Sequence, residues 1–118
     1  MEALAEALKD EDARVRKEAA SVLDKLGWKP GTAIDEVHYL LAGQEWNELV
    51  ELGEPAVAFL IESLKDKNRS VREGSAFALG GIGDERAVDA LTELLKDEDE
   101  SMRDAAKNSL RRMRNART

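Results

Sequence analysis

One segment is written three times along this chain. Leu8-Lys9-Asp10-Glu11-Asp12-Ala13-Arg14-Val15-Arg16 returns as Leu64-Lys65-Asp66-Lys67-Asn68-Arg69-Ser70-Val71-Arg72 and again as Leu95-Lys96-Asp97-Glu98-Asp99-Glu100-Ser101-Met102-Arg103. Leu, Lys, Asp and Arg are identical in every copy. A repeat constrains architecture more than local propensity does, because each copy is one structural unit that buries its apolar face against its neighbours. Beyond each copy, apolar or small residues recur at matched places: Ala19, Ser75 and Ala106, then Leu23, Leu79 and Leu110, then Leu26, Ile82 and Met113. Counted from Val15, Val71 and Met102, the steps are four, four and three residues, which follow one face of a helix. Before the turn, Val57, Leu60, Ile61 and Leu64, echoed by Val88, Leu91, Leu94 and Leu95, mark another amphipathic helix. Each unit therefore reads as helix, short turn, helix.

The turn has its own chemistry. Asp12, Asn68 and Asp99 stand where each second helix must begin, and their side chains suit the unpaired first-turn N–H groups. Six residues separate Asp10 from Arg16, Asp66 from Arg72 and Asp97 from Arg103. A cation in a helix's first turn opposes the dipole and needs a carboxylate nearby. A ladder of these Asp and Arg residues between stacked units is the expectation, each exposed pair contributing only about 0 to 1 kcal/mol.

The run Gly80-Gly81-Ile82-Gly83-Asp84-Glu85-Arg86-Ala87-Val88, followed by Leu91 and the Leu-Lys-Asp turn, resembles the phycobilisome (PBS) lyase type of HEAT-like repeat. Its usual length matches the 31 residues from Leu64 to Leu95. The likeness is closest from Gly53 to Met113 and extends to Leu8–Gly27. It implies an all-α α-solenoid, a right-handed α-α superhelix of antiparallel helix pairs with second helices on the concave side. About three hairpins of this type plus one irregular inserted hairpin account for the chain. The bilin lyases that name the repeat transfer tetrapyrroles, but the resemblance lies in the structural repeat and brings no catalytic constellation with it.

The irregularity is in the middle. From Leu8 to Leu64 the offset is 56, or 25 more than the regular step. Gly27-Trp28-Lys29-Pro30-Gly31 reads as a helix stop and turn. Thr32 with Asp35 resembles a capping box opening a helix over Ala33 to Ala42, and a shorter helical run covers Glu45 to Leu52 before Gly53-Glu54-Pro55. The 118 residues thus divide, as one domain, into a first repeat at about 2–27, the insert at 28–53, repeats at 54–83 and 84–114, and a basic tail at 115–118. Trp28, Tyr39 and Trp46 concentrate aromatics in the insert, either as filling for an irregular junction or as an alternative binding groove.

Composition removes most catalytic classes. There is no cysteine, so disulfides, thiolate metal sites and cysteine nucleophiles are excluded. His38 is the only histidine and lacks any metal-binding or triad context; iron-dependent HEAT-like hydroxylases carry repeated His-Glu pairs, whereas Tyr39 follows here. Asp10-Glu11-Asp12 and Asp97-Glu98-Asp99-Glu100 lack the alternation and central Gly of a calcium loop. Gly80, Gly81 and Gly83 lack the context of a phosphate loop and read as a helix terminus and tight turn, with Gly27 as counterpart. No run approaches the roughly 18 apolar residues of a membrane span. The expectation is a cytoplasmic, non-catalytic protein with no cofactor, no metal and no membrane contact.

What remains is a surface. Subtracting the buried stripe from each second helix leaves Ala13, Arg14, Lys17, Glu18, Ser21 and Lys25 in the first unit. The second unit leaves Arg69, Ser70, Glu73, Gly74, Phe77 and Gly81, and the third Glu100, Ser101, Asp104, Ala105, Asn108 and Arg112. This stripe varies while the buried one repeats, as expected where stacking constrains one face only. A protein partner on the concave face is the leading expectation, with Phe77 as an anchor because Ser21 and Asn108 hold its matched places. Two alternatives stand beside it: an accessory or chaperone-like subunit related to bilin lyases, and a nucleic-acid-binding module. The latter is motivated by Arg111, Arg112, Arg114 and Arg117 and disfavoured by a net charge of −7. Terminal units of a solenoid expose stacking faces, so the chain is expected to be a monomer or to self-associate weakly through them.

Overall fold

The computed structural model describes residues 2–116. These form eight α-helices and no strand: α1 Glu2–Ala7, α2 Ala13–Lys25, α3 Ala33–Ala42, α4 Trp46–Leu52, α5 Val57–Ser63, α6 Arg69–Ile82, α7 Val88–Glu93 and α8 Glu100–Ala116. Short 3₁₀ turns at Glu54–Ala56 and Glu85–Ala87 lead into α5 and α7, and another at Leu94–Lys96 follows α7. Successive helices pair, and the pairs stack side by side, with α4 on α6 and α6 on α8. The extents, 43 × 30 × 17 Å, are those of a slab two helices thick. It is an α-solenoid in which the insert occupies a place in the stack as a fourth, shorter hairpin.

The three turns are nearly superimposable in their bonding. Asp10, Asp66 and Asp97 each accept from the backbone N–H two residues on, at 2.8–2.9 Å. Asp12, Asn68 and Asp99 then cap the second helices, accepting from Arg14, Val71 and Ser101 backbone N–H groups. Arg16, Arg72 and Arg103 each reach back with Nη1 to two turn carbonyls, those of Asp10 and Glu11, Asp66 and Lys67, and Asp97 and Glu98. Each arginine therefore satisfies two carbonyls of the turn that lie beyond the end of the first helix. The invariance of Asp and Arg is explained mainly within one turn.

The expected ladder exists with one rung moved. Arg16 Nη2 meets Asp66 Oδ1 at 2.9 Å, with both side chains less than 20% exposed. Between the last two units it is Arg69, with Nε 3.0 Å from Asp99 Oδ2, that crosses. The first rung passes over the inserted hairpin because α4, with 7 residues, is half the length of α6, with 14.

The main core runs through α3 to α8, with Val37, Leu49, Leu60, Leu79, Leu91 and Met113 among its members. A smaller cluster of Leu8, Ala19, Ala20, Leu23 and Ala42 joins α1, α2 and α3, with Trp28 and Tyr39 packed against it. Helices α6 and α8 approach closely at Gly80, where an added Cβ would lie 2.8 Å from the Ser109 backbone. Ser109 Oγ donates there to the Ala76 carbonyl at 2.6 Å. Gly74 likewise lies beneath the Trp46 indole. Gly80 and Gly81 are thus packing residues inside α6 and not its terminus; only Gly83, at φ +74°, ends the helix in the left-handed conformation, as Gly27 does at φ +75° after α2.

The expected buried stripe fails at Val15 and Leu26, which are 41% and 57% exposed while the matched Met102 and Met113 are buried. Met113 packs in the main core, whereas Val15 and Leu26 belong to neither core cluster. At the other end α8 carries Lys107 and Arg111 where α6 has Ala76 and Gly80. Long cations at those places present a solvated outer face where α6 offers close contact. Of the basic tail, Arg117 lies outside the described residues.

Candidate functional site

The helices of the second layer are in close contact from α4 to α8, but not between α2 and α4. Ala20 and Asp24 hold in α2 the places that Ala76 and Gly80 hold in α6, 56 residues on. Around Ala76 and Gly80, Ser109 closes the joint. Beside Ala20 and Asp24 there is instead a cleft of about 410 Å³. Lys17, Ser21 and Asp24 line it from α2, Tyr39 and Leu40 from α3, and Glu45 and Glu48 from the start of the short α4. Three carboxylates therefore confront one ammonium group.

The floor is ordered by a hydrogen bond. Tyr39 donates its hydroxyl to Asp24 Oδ1 at 2.7 Å, and the Trp28 ring packs at a tilt against Tyr39, centroids 5.4 Å apart. Burial, followed by the Asp24 hydrogen bond and charge and then Glu45, pushes the Tyr39 phenol up to about 12. Glu45 is raised above the ordinary carboxylate value by desolvation first, then by its hydrogen bond with Glu48 and the charges of Glu48 and Asp24, with Lys17 opposing. Negative charge in the cleft is thus mutually repulsive and incompletely compensated, the condition under which a cation is attracted.

Further along the layer Phe77 is 43% exposed, with the Arg112 guanidinium 4.8 Å above its ring. Arg112 Nη1 also donates to the Phe77 carbonyl at 3.3 Å. Arg69 is shared between Glu73, at 2.9 Å, and Asp99. The expected surface residues Arg14, Lys17, Glu18, Ser21, Lys25, Arg69, Ser70, Phe77, Glu100, Ser101, Asp104, Asn108 and Arg112 are exposed, and Glu73 is half-buried. They do not make one stripe. Ala13 and Gly74 are buried, and Gly81 lies beneath Val50 and Arg112. In α6 the places matched to Glu18 and Lys25, Gly74 and Gly81, therefore face the preceding helix, α4. The open surface is narrower, centred on Lys17, Ser21, Glu73, Phe77, Asp104 and Asn108.

The aromatic groove also divides. Tyr39 lines the cleft with Trp28 behind it, but Trp46 packs over Gly74 in the main core, which removes it from that set. His38 lies edge-on to Phe59 with centroids 5.0 Å apart, its pKa lowered by burial and then by Lys9. Among the described residues no group of acids and histidine is placed to hold a metal ion. Asp24, Glu45 and Glu48 were not expected from sequence; the available signal was an acid in α2 at the place where α6 requires glycine.

The last two hairpins, α5–α6 and α7–α8, with their turns and the glycine joint between α6 and α8, fall within the segment, residues 57–118, that matches the sequence model of the HEAT-repeat family. The chain belongs to the HEAT-repeat family. HEAT repeats generally mediate protein–protein interaction and are typically non-catalytic. No curated protein matches the chain. The HEAT match begins at α5, so the joint that opens the cleft, between α2 and α4, lies outside the regular part of the array. Among the described residues no helix is long and apolar enough to cross a membrane.

Proposed function

We propose that this HEAT-repeat chain is a non-catalytic protein-binding module that takes a partner segment along its second-helix face, a cationic side chain of that segment entering the cleft between α2 and α4. The observation that carries the reading is the unclosed joint, where Asp24, Glu45 and Glu48 surround a floor made by Tyr39 and Leu40. An arginine or lysine fits both features, since its stem lies on apolar surface while its head meets carboxylates. Phe77 and Arg112 extend the footprint as an aromatic anchor. A nucleic-acid backbone would meet like charge in the cleft, which disfavours it. The closer kinship with lyase-type repeats, a concave form of this face and a cytoplasmic setting belong to the same proposal, and none of them supplies a catalytic group.

A leucine-flanked peptide with two arginines, titrated calorimetrically, is the direct probe. Saturable binding is expected, about tenfold weaker for the Glu45→Gln/Glu48→Gln variant and weakened by salt. Because the Glu45 pKa is raised, acidification is expected to weaken binding at a higher pH than an ordinary glutamate would require. Equal affinity of wild type and variant removes the cleft from the interface.

A further inference from the structure

One stripe of the second helices is covered in the two regular repeats and open in the first. In α6 it comprises Val71, Gly74, Ala78, Gly81 and Ile82, and it receives α4, with Trp46 over Gly74 and Val50 over Gly81. In α8 the matched residues include Met102, Ser109 and Met113, which are at most 3% exposed against α6. In α2 the same places are Val15, Glu18, Val22, Lys25 and Leu26. Val15 is 41% and Leu26 57% exposed, and Val15 and Val22 border a groove of about 460 Å³ with Leu4 and Ala7 of α1. The face is thus an apolar stripe of Val15, Val22 and Leu26, with Glu18 and Lys25 standing where α6 has Gly74 and Gly81 beneath α4.

We infer that this face binds a second copy of the chain, two α2 helices crossing antiparallel about a two-fold axis near Val22. The charge pattern selects that occupant. Glu18 and Lys25 lie two helical turns apart within the apolar stripe, and both are exposed. Among the described residues neither is in an ion pair. Antiparallel pairing about an axis beside Val22 brings Glu18 of each copy to Lys25 of the other, with the two Val22 side chains next to the axis and Val15 and Leu26 flanking the charged pairs. The surface is thus self-complementary, as a two-fold interface requires, and the opposed helix dipoles are favourable. Head-to-tail stacking is the weaker arrangement, because it would set Lys107 and Arg111 of α8 where α6 offers Ala76 and Gly80.

Sedimentation equilibrium of the full chain tests this with Glu18→Lys and Lys25→Glu. Wild type is expected to dimerise reversibly, and each variant alone, now pairing like charges twice across the axis, to dimerise at least about tenfold more weakly. An equimolar mixture of the two variants is expected to recover wild-type association, since in the mixed dimer each position 18 again faces the opposite charge at position 25 of the other copy. Both substitutions are at exposed positions outside the cleft and away from Phe77, so peptide binding by the proposed site is expected to persist. Any of these results overturns the inference: a wild type that stays monomeric to about 1 mM, variants that associate as well as wild type, a mixture that recovers nothing, or association lost in Lys107→Glu/Arg111→Glu but retained in the α2 variants. A monomer that holds a different helical protein on this face also overturns it.

Discussion

Ser75 is fully buried, and its hydroxyl has no partner among the described residues, whereas the matched places in the neighbouring units are Ala19 and Ala106. An unpaired buried hydroxyl costs free energy that alanine does not. Ser75→Ala is therefore expected to stabilise the fold by about 1 kcal/mol, read as a higher midpoint in urea at unchanged slope. Tyr39 gives a second expectation. Its phenol is held at about 12, so the folded chain binds that proton more tightly than the unfolded chain does. The associated stability is present below pH ~10 and is lost as the pH rises towards ~12. Ultraviolet titration should place the phenol near the upper value in wild type and lower in Asp24→Asn, where the carboxylate charge is gone. The caps at Asp12, Asn68 and Asp99 were legible at this scale, because N-capping is local chemistry. The cleft acids were not, because their meaning depends on which helix lies opposite.

At the scale of elements, helix identity followed from spacing. The turn at Thr32, which accepts from the Asp35 backbone N–H at 3.1 Å, and α3 over Ala33–Ala42 are where periodicity and capping put them. Two readings failed for one reason: the glycines of α6 and the outward stripe both depend on the approach of a neighbouring helix. Gly80 looks like a helix stop in sequence, yet it admits Ser109. Gly80→Ala is expected to cost about 1–3 kcal/mol, since the new methyl meets α8 backbone that cannot yield without separating the helices. Gly31→Ala, whose Cβ would meet nothing within 4 Å, is the control and should change stability by less than about 0.5 kcal/mol. Equal losses at the two sites would show that close approach is not what Gly80 provides.

At the scale of the molecule, a short hairpin has been accommodated in a stack of longer ones. The repeats predicted the solenoid, and the 25 extra residues predicted that something intervenes. They gave no sign that α4 would leave its neighbours bonded over it, by Arg16 and Asp66, and a cleft beside it. Length mismatch between stacked helices has no local signature; it emerges only when the layers are assembled. The consequence is that the chain's least regular joint opens as an acidic cleft. The most direct measurement is affinity capture of partners by wild type, by a Glu45→Lys/Glu48→Lys/Phe77→Ala variant of the second-helix face, and by an Asp89→Lys/Glu93→Lys variant of α7. A partner retained by wild type and the α7 variant but lost from the second-helix variant, with all three equally folded by circular dichroism, is the predicted result. Retention by the second-helix variant, or loss caused by the α7 changes alone, would contradict it.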